Sequence, residues 1–370
     1  MIRNKPSLLS LKGQSPPLLV VKDLSPLTPG GHGLLEQLQT DTPDHHDLIL
    51  KKGENSHEKN IHNVVYEQAS KQGYANYFTQ PYHSSKEGFF ATVREPGGKL
   101  NYYFDFFKKN SGTMPYLVFI FTQIMRLTQA LTFLHETQFL DQENNIHAGI
   151  LHTDLKTDNI FLNQDGLFVI GDFGSAHYRH ESVHDLYLRN IQPELLKNSC
   201  PSANQIILEK EAMQTHQHDM YGLGLILGAL LNEAHPLDAY ADENISLQER
   251  AEKFILNNDR PAKQPANKHE SLAIHECDPN ELFLLLKDIY YELIYPNRPS
   301  AKTLLQELNS LSKIFQTSDE DKKMFRDNLI KQFENKKHSL SEFFMQCSIS
   351  SENGYVAVHS SEKKLQTKTL

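Results

Sequence analysis

The sequence has no tryptophan and only three cysteines, Cys200, Cys277 and Cys347, which lie far apart and form no CxxC pair. Such an odd, sparse set argues against a disulfide framework and fits a reducing compartment. Positive charge is also short. The chain carries 37 Lys and Arg against 46 Asp and Glu, and the net charge of −9 argues against a broad nucleic-acid-binding surface. No basic region followed by an apolar run opens the chain, so no secretory signal is expected. The longest strongly apolar run, Met220 to Leu231, is too short to span a bilayer and reads as a buried core helix; no transmembrane segment is expected. The 19 histidines include His45-His46, His180 with His184, and His216 with His218, but none comes with the cysteine or carboxylate spacing of a zinc site. They read as surface residues.

What is present is an ordinary globular balance over 370 residues, 39% hydrophobic and 22% charged, enough to bury a sizeable core. Leu18 to Val21 and Asp47 to Lys51 read as strands, with a turn-rich stretch, Leu27 to Gly33, between them. Ile61 to Lys71 has apolar residues at helical spacing. Phe89 to Val93 and Leu100 to Phe107 read as strands flanking a turn at Glu95-Pro96-Gly97-Gly98. From Leu117 onward an apolar stripe, Leu117, Ile120, Ile124, Leu127, Leu131 and Leu134, marks a long helix. The remainder to Leu311 is mostly helical. Strands first and helices later predict an α+β fold with segregated lobes. Ser318 to Met345, with spaced Met324, Leu329 and Phe333, predicts one or two amphipathic helices, and the polar stretch from Ser348 to Leu370 predicts a flexible tail.

The chemistry is concentrated in His152-Thr153-Asp154-Leu155-Lys156-Thr157-Asp158-Asn159, followed by Gly171-Asp172-Phe173-Gly174. Two apolar runs around Gln164-Asp165-Gly166 separate the two motifs and predict a small hairpin that fixes their distance. Two carboxylates, a lysine and an amide at these spacings resemble a phosphoryl-transfer site, which requires a positioned nucleophile, positioned metals and neutralised phosphate charge. A carboxylate on a rigid loop orients an acceptor hydroxyl, a lysine two residues on reaches the γ-phosphate, and an amide oxygen with a second carboxylate holds Mg²⁺.

These motifs resemble the HRDLKxxN catalytic loop and the DFG motif of eukaryotic-like Ser/Thr protein kinases. The resemblance covers roughly Gly30 to Leu311. It implies a bilobal fold with a small β-rich N-lobe and a larger helical C-lobe. The expected divisions are a flexible N-terminus (1–16), N-lobe (17–106), C-lobe (107–312), helical extension (313–347) and flexible tail (348–370). It implies Asp154 and Lys156 as catalytic residues and Asn159 and Asp172 as ligands of Mg²⁺ or Mn²⁺. ATP is the implied cofactor and a protein the implied substrate. Leu48-Ile49-Leu50-Lys51 resembles the strand that carries the α/β-phosphate lysine, with Lys51 favoured over Lys52 by strand alternation. Gly30, Gly31 and Gly33 resemble a phosphate-cradling glycine loop lacking its third glycine. Phe104-Asp105-Phe106-Phe107 is the expected hinge, with Phe104 as gatekeeper and adenine contacts near Asp105 and Phe107.

Three structural matches accompany these. Gln192-Pro193-Glu194 resembles the APE element, Asp219 to Gly224 the DxWxxG helix start, and Asn297 to Ala301 the RPSA element. They imply a Glu194–Arg298 pair and an Asp219 that holds the catalytic-loop backbone. The family's helix αC glutamate has no clear counterpart: Glu58 and Glu67 both qualify, or the pair is absent. Thr153 replaces the arginine that pairs with a phosphorylated loop in the family, which implies activity independent of such phosphorylation. An insertion, Gln138 to Ala148, precedes the catalytic loop. A small-molecule or lipid kinase and an ATP-binding pseudokinase are the alternative readings. Plentiful Asn, Gln and His and a polar tail resemble kinases that intracellular bacteria inject, so the expected location is the cytoplasm or, for an effector, the host cytosol.

Overall fold

The computed structural model describes residues 8–10, 18–30, 33–40, 48–52, 56–84, 89–179, 193, 216–238, 245–258, 278–314 and 323–333. The small lobe is a closed antiparallel barrel of six strands. They are β1 (Leu8–Ser10), β2 (Leu18–Gly30), β3 (Gly33–Thr40), β4 (Leu48–Lys52), β5 (Pro81–Ser84) and β6 (Phe89–Val93). β1 pairs with both β2 and β5, so residues expected to be a flexible terminus instead close the barrel and remove its edges. β3 was not legible as a strand because its Glu36, Gln37 and Gln39 have weak strand preference. Helix α1 (Ser56–Gln72) crosses between β4 and β5 and buries Ile61, Val65 and Ala69.

The expected strand over Leu100–Phe107 does not form. Gly98–Lys99 (β7) pairs with the large lobe, a 3₁₀ turn covers Leu100–Tyr103, and Phe104–Asn110 is helix α2. Aromatic density suggested a strand, but the residues that are buried, Leu100, Tyr103 and Phe107, recur at spacings of three and four, which is helical. The turn at Glu95 to Gly98 therefore joins the two lobes rather than two barrel strands, and the lobe boundary lies there rather than after residue 106. Phe107 is 1% exposed inside the large lobe's aromatic core.

Helix α3 (Met114–Glu136) starts with Pro115 in its first turn, where a missing N–H costs nothing, and buries its whole expected stripe. Among the described residues it is the helix long and apolar enough to cross a membrane, but 72% of its apolar window is buried inside the protein. Around it pack α4 (Gln217–Leu230), α6 (Pro279–Ile294), α7 (Ala301–Ile314) and α8 (323–333), while α5 (Leu247–Asn258) sets Phe254 5.8 Å from Tyr295 at the end of α6. Asp278 caps α6 by accepting from the Asn280 N–H.

Helix α8 is part of the core rather than an appendage. Phe325, Leu329 and Phe333, spaced by four, are buried, while Met324 is half exposed and belongs to the outer face. Phe325 lies 4.8 Å from Phe119 and 5.5 Å from Tyr116, and Phe333 lies 5.3 Å from Tyr103 beside the lobe connection. Leu329→Ala is therefore expected to cost about 2–3 kcal/mol, by lost burial and the cavity left behind. Urea unfolding followed by circular dichroism checks this; an unchanged midpoint means that the helix contributes no stability.

Candidate active site

The catalytic loop is held from below by one buried carboxylate. Asp219, in the first turn of α4, accepts from the backbone N–H of His152 at 2.9 Å and of Thr153 at 2.8 Å. Its Oδ2 also meets His135 Nε2 at 2.8 Å. Burial would push the Asp219 carboxyl up, but these partners outweigh it and hold it well below the usual carboxylate range. Gly222 lets the loop lie directly on α4, since a Cβ there would sit 2.5 Å from the Leu155 carbonyl. With this anchoring the backbone holds Thr153 at φ 58° and Asp172 at φ 61°, left-handed conformations costly for a β-branched threonine.

The hairpin expected between the two motifs is present. β11 (Ile160–Leu162) pairs with β12 (Phe168–Ile170), and the Asn163 side chain accepts from the Asp165 and Leu167 N–H groups to fix the turn. The Gly171 N–H then donates to the Asn159 carbonyl at 3.0 Å, tying the end of one motif to the start of the other.

Within the loop, Asp154 Oδ2 accepts from Lys156 Nζ at 2.6 Å and from Asn159 Nδ2 at 2.9 Å. Asn159 Nδ2 also donates to the Asp154 carbonyl at 2.8 Å. Asp154 Oδ1 is buried without a hydrogen-bond partner. From the small lobe Lys51 Nζ reaches Glu58 at 2.5 Å and Asp172 at 2.7 Å. Burial alone would lower the Lys51 pKa, but the two carboxylates outweigh it and raise it above the ordinary lysine value. Burial opposes ionisation of Asp172, yet Lys51 brings its pKa down to about 2. Of the two candidate glutamates it is thus Glu58, in the first turn of α1, that pairs with Lys51. Gly30 and Gly33 face each other as the last pair of the β2–β3 hairpin, and Leu35 lies opposite Lys51 in the next ladder; Gly31 lies outside the described residues. Asp105 and Phe107 lie on α2 and do not form the expected hinge strand. Arg298 donates to the carbonyls of Leu293 and Ile294 and covers Tyr221; its expected partner Glu194 lies outside the described residues.

One histidine at the site departs from the expectation that the histidines lie at the surface. His62 of α1 is fully buried, with its ring 4.7 Å from Phe173, which in turn lies 5.2 Å from His152. These tilted ring contacts connect α1 to the catalytic loop. His62 Nε2 bonds the Thr79 carbonyl at 2.7 Å. Only its position one turn after Glu58 could have marked it. Burial pushes the His62 pKa down to about 3. The unfolded chain takes up this proton near pH 6.5 and the folded state does not, so stability is full above pH 6.5 and falls as pH drops. Between pH 6.5 and pH 5 His62 alone is expected to cost roughly 2 kcal/mol, and buried His218, also shifted down, adds in the same direction. Urea unfolding at pH 7 and pH 5 checks this, and His62→Leu is expected to flatten the dependence.

Two lobes joined at a short turn, with a lysine–carboxylate cluster facing a loop-borne Asp and Asn, define a kinase-type phosphotransferase fold. The chain belongs to the protein kinase family: the family model described as "Protein kinase domain" matches residues 73–343, well over half its length. It is similar to the "Probable serine/threonine-protein kinase roco6" of Dictyostelium discoideum, 32% identical over 143 residues, 38% of this chain and 6% of that protein. It is also similar to "Serine/threonine-protein kinase PTK1/STK1" of Saccharomyces cerevisiae, 29% identical over 133 residues, 32% of this chain and 20% of that protein. "CBL-interacting serine/threonine-protein kinase 17" of Arabidopsis thaliana is 30% identical over 118 residues, 30% of this chain and 24% of that protein. The chain spans less than a quarter of the length of each of these relatives.

Proposed function

We propose that this protein transfers the γ-phosphoryl group of ATP to Ser or Thr hydroxyls of protein substrates. The observation that carries this reading is Asp154: one carboxylate oxygen is fixed by Lys156 and Asn159, and the other is buried and unpaired. That second oxygen is placed to accept the proton of an incoming hydroxyl and orient its oxygen for attack. Lys156, already beside Asp154, stabilises charge on the transferred group. Lys51 would hold phosphates of ATP, with Gly30 and Gly33 at the end of the adjoining hairpin. Asn159 and Asp172 offer hard oxygen donors suited to Mg²⁺ or Mn²⁺, and the low Asp172 pKa keeps it ionised at neutral pH. A divalent ion held there would supply charge neutralisation for the phosphates. The Lys156 of the DLK motif and the names of the similar proteins support Ser/Thr over Tyr as acceptor.

The test is incubation with labelled ATP, Mg²⁺ or Mn²⁺ and generic protein acceptors, followed by phosphoamino-acid analysis. Phosphoserine and phosphothreonine that vanish in Asp154→Asn are expected. Phosphotyrosine alone overturns the acceptor assignment, and ATP binding without any transfer overturns the catalytic reading.

A further inference from the structure

The insertion between α3 and the catalytic loop folds into a second hairpin, β8 (Gln138–Leu140) with β9 (Ile146–Ala148). Its base is anchored by Phe139, which is 1% exposed and meets Phe133 edge-on at 5.7 Å. Its tip is built around one carboxylate. Asp141 accepts from the N–H groups of Glu143 and Asn145 and from Asn145 Nδ2, each at 2.8 Å, and lies 3.0 Å from His147 Nε2. From this tip two contacts reach outward. Gln142 Nε2 donates to Asn60 Oδ1 on α1 at 2.6 Å, and the His147 ring stacks on Tyr178 at 3.8 Å with planes 15° apart.

Tyr178 belongs to β13 (His177–Tyr178), a few residues beyond Asp172, and pairs with β10 (Ile150–Leu151). The chain leading to it is held by contacts from two further elements. Thr153 Oγ1 donates to the Ser175 carbonyl at 2.7 Å, and His57 Nε2 of α1 lies 2.6 Å from the Ala176 carbonyl. His57 and Asn60 flank Glu58 on α1. An outward swing of α1 would break both contacts along with the Lys51–Glu58 pair.

We propose that the 138–148 hairpin is a positioning element for phosphotransfer. It ties α1 to Tyr178 and so holds Glu58 on Lys51 without a phosphate on the segment after Asp172. The proposal rests on the kinase reading of the site. In kinases generally the lysine–glutamate pair must be closed for transfer, and helix position and loop ordering control it. Here the residue preceding the catalytic Asp is Thr153, which carries no charge to recruit a phosphate. Contacts at Ser175, Ala176 and Tyr178 do the ordering instead, and the hairpin supplies one of them together with a brace on α1. Leu140 and Ile146 are not part of this brace.

The test uses phosphatase-treated full chain and the double variant Gln142→Ala/His147→Ala, with His147→Phe as the conservative form that keeps the stack. Hydrogen exchange of the amides in residues 56–72 reads the position of α1 whether or not the protein phosphorylates anything. The double variant is expected to speed that exchange and lower kcat about five- to tenfold, the size set by one hydrogen bond and one aromatic stack. The KM for protein acceptor and the unfolding midpoint stay near wild type, and His147→Phe recovers most of its share. In a Glu58→Gln background the double variant is expected to add no further loss of kcat, because both act through the same ion pair. Unchanged exchange in residues 56–72, or losses that multiply in the Glu58→Gln background, overturns the proposal. A wild type that transfers no phosphate overturns the kinase reading instead, and the exchange measurement still decides the brace.

Discussion

Asn at Asp154 or at Asp172 is expected to lower phosphotransfer by about 10²-fold or more while leaving the unfolding midpoint close to wild type. Asn is the informative replacement because it keeps the shape of each side chain. At position 172 it also tolerates the left-handed backbone, φ 61°, better than alanine does. Asp172→Asn removes the charge that pairs with Lys51 and that the proposed function assigns to a divalent ion, but Lys51 keeps Glu58 at 2.5 Å, so the cleft is expected to stay closed. Asp154→Asn exchanges an oxygen for an amide group, so the group facing an incoming hydroxyl loses its charge. Lys51→Met belongs to the same experiment and differs in kind. It removes the cation beside the Glu58 carboxylate, which is 4% exposed, so both activity and melting temperature are expected to fall. Lys52→Met is expected to leave both near wild type. Kinetics and thermal melts on the four purified variants check this. Full activity in Asp154→Asn or Asp172→Asn would falsify the assignment of the site, and loss confined to Lys52→Met would contradict the ion pairs seen at Lys51.

The parts of the site that were legible in the sequence are those whose chemistry is local. Asp154, Lys156, Asn159 and Asp172 lie in two short segments joined by one hairpin, so spacing alone brings them together. Lys51 was legible because strand alternation admits one lysine to the cleft. Glu58 was ambiguous because the apolar periodicity of α1 begins at Ile61, one turn after the residue that matters, while the helix begins at Ser56. The lobe connection was misplaced for a different reason. Tyr102, Tyr103, Phe104, Phe106 and Phe107 are dense enough to look like a strand, and only burial separates exposed Tyr102 from buried Tyr103 and Phe107. Helix α8 was expected, and Leu329 and Phe333 of its spaced apolar residues are buried; the third inner position is Phe325 rather than Met324, as the spacing of four decides. The barrel-closing strand β1 could not be read at all. Its reason lies in pairing with Ser84 and His83, far along the chain, and long-range pairing leaves no local signature.

Asp219→Ala is expected to cost about 3–5 kcal/mol and to remove most phosphotransfer, although Asp219 belongs to α4, beneath the loop. The carboxylate satisfies two backbone N–H groups and a histidine inside a fully buried setting, so its removal leaves three polar groups without a partner. The consequence for function follows from backbone strain. Thr153 holds φ 58° because its N–H and that of His152 are clamped together, and without the clamp a β-branched residue relaxes toward extended conformations. Such a relaxation rotates the next residue, Asp154, away from Lys156 and Asn159. The Lys51–Glu58 pair is formed entirely in the small lobe and is untouched, so ATP affinity is expected to survive better than turnover. Asp219→Asn retains one acceptor oxygen and is expected to lie between wild type and Asp219→Ala in stability, which keeps the test open if the alanine variant does not fold. Acid sensitivity gives a second readout. The folded carboxyl titrates well below its unfolded value, so its stabilisation is present above about pH 4 and is lost as pH falls. The alanine variant should lack that part of the acid transition. Urea unfolding across pH, with kcat and the KM for ATP measured on the same preparations, decides the matter. An alanine variant within 1 kcal/mol of wild type, or one that turns over at the wild-type rate, would show that the loop holds its geometry without this carboxylate.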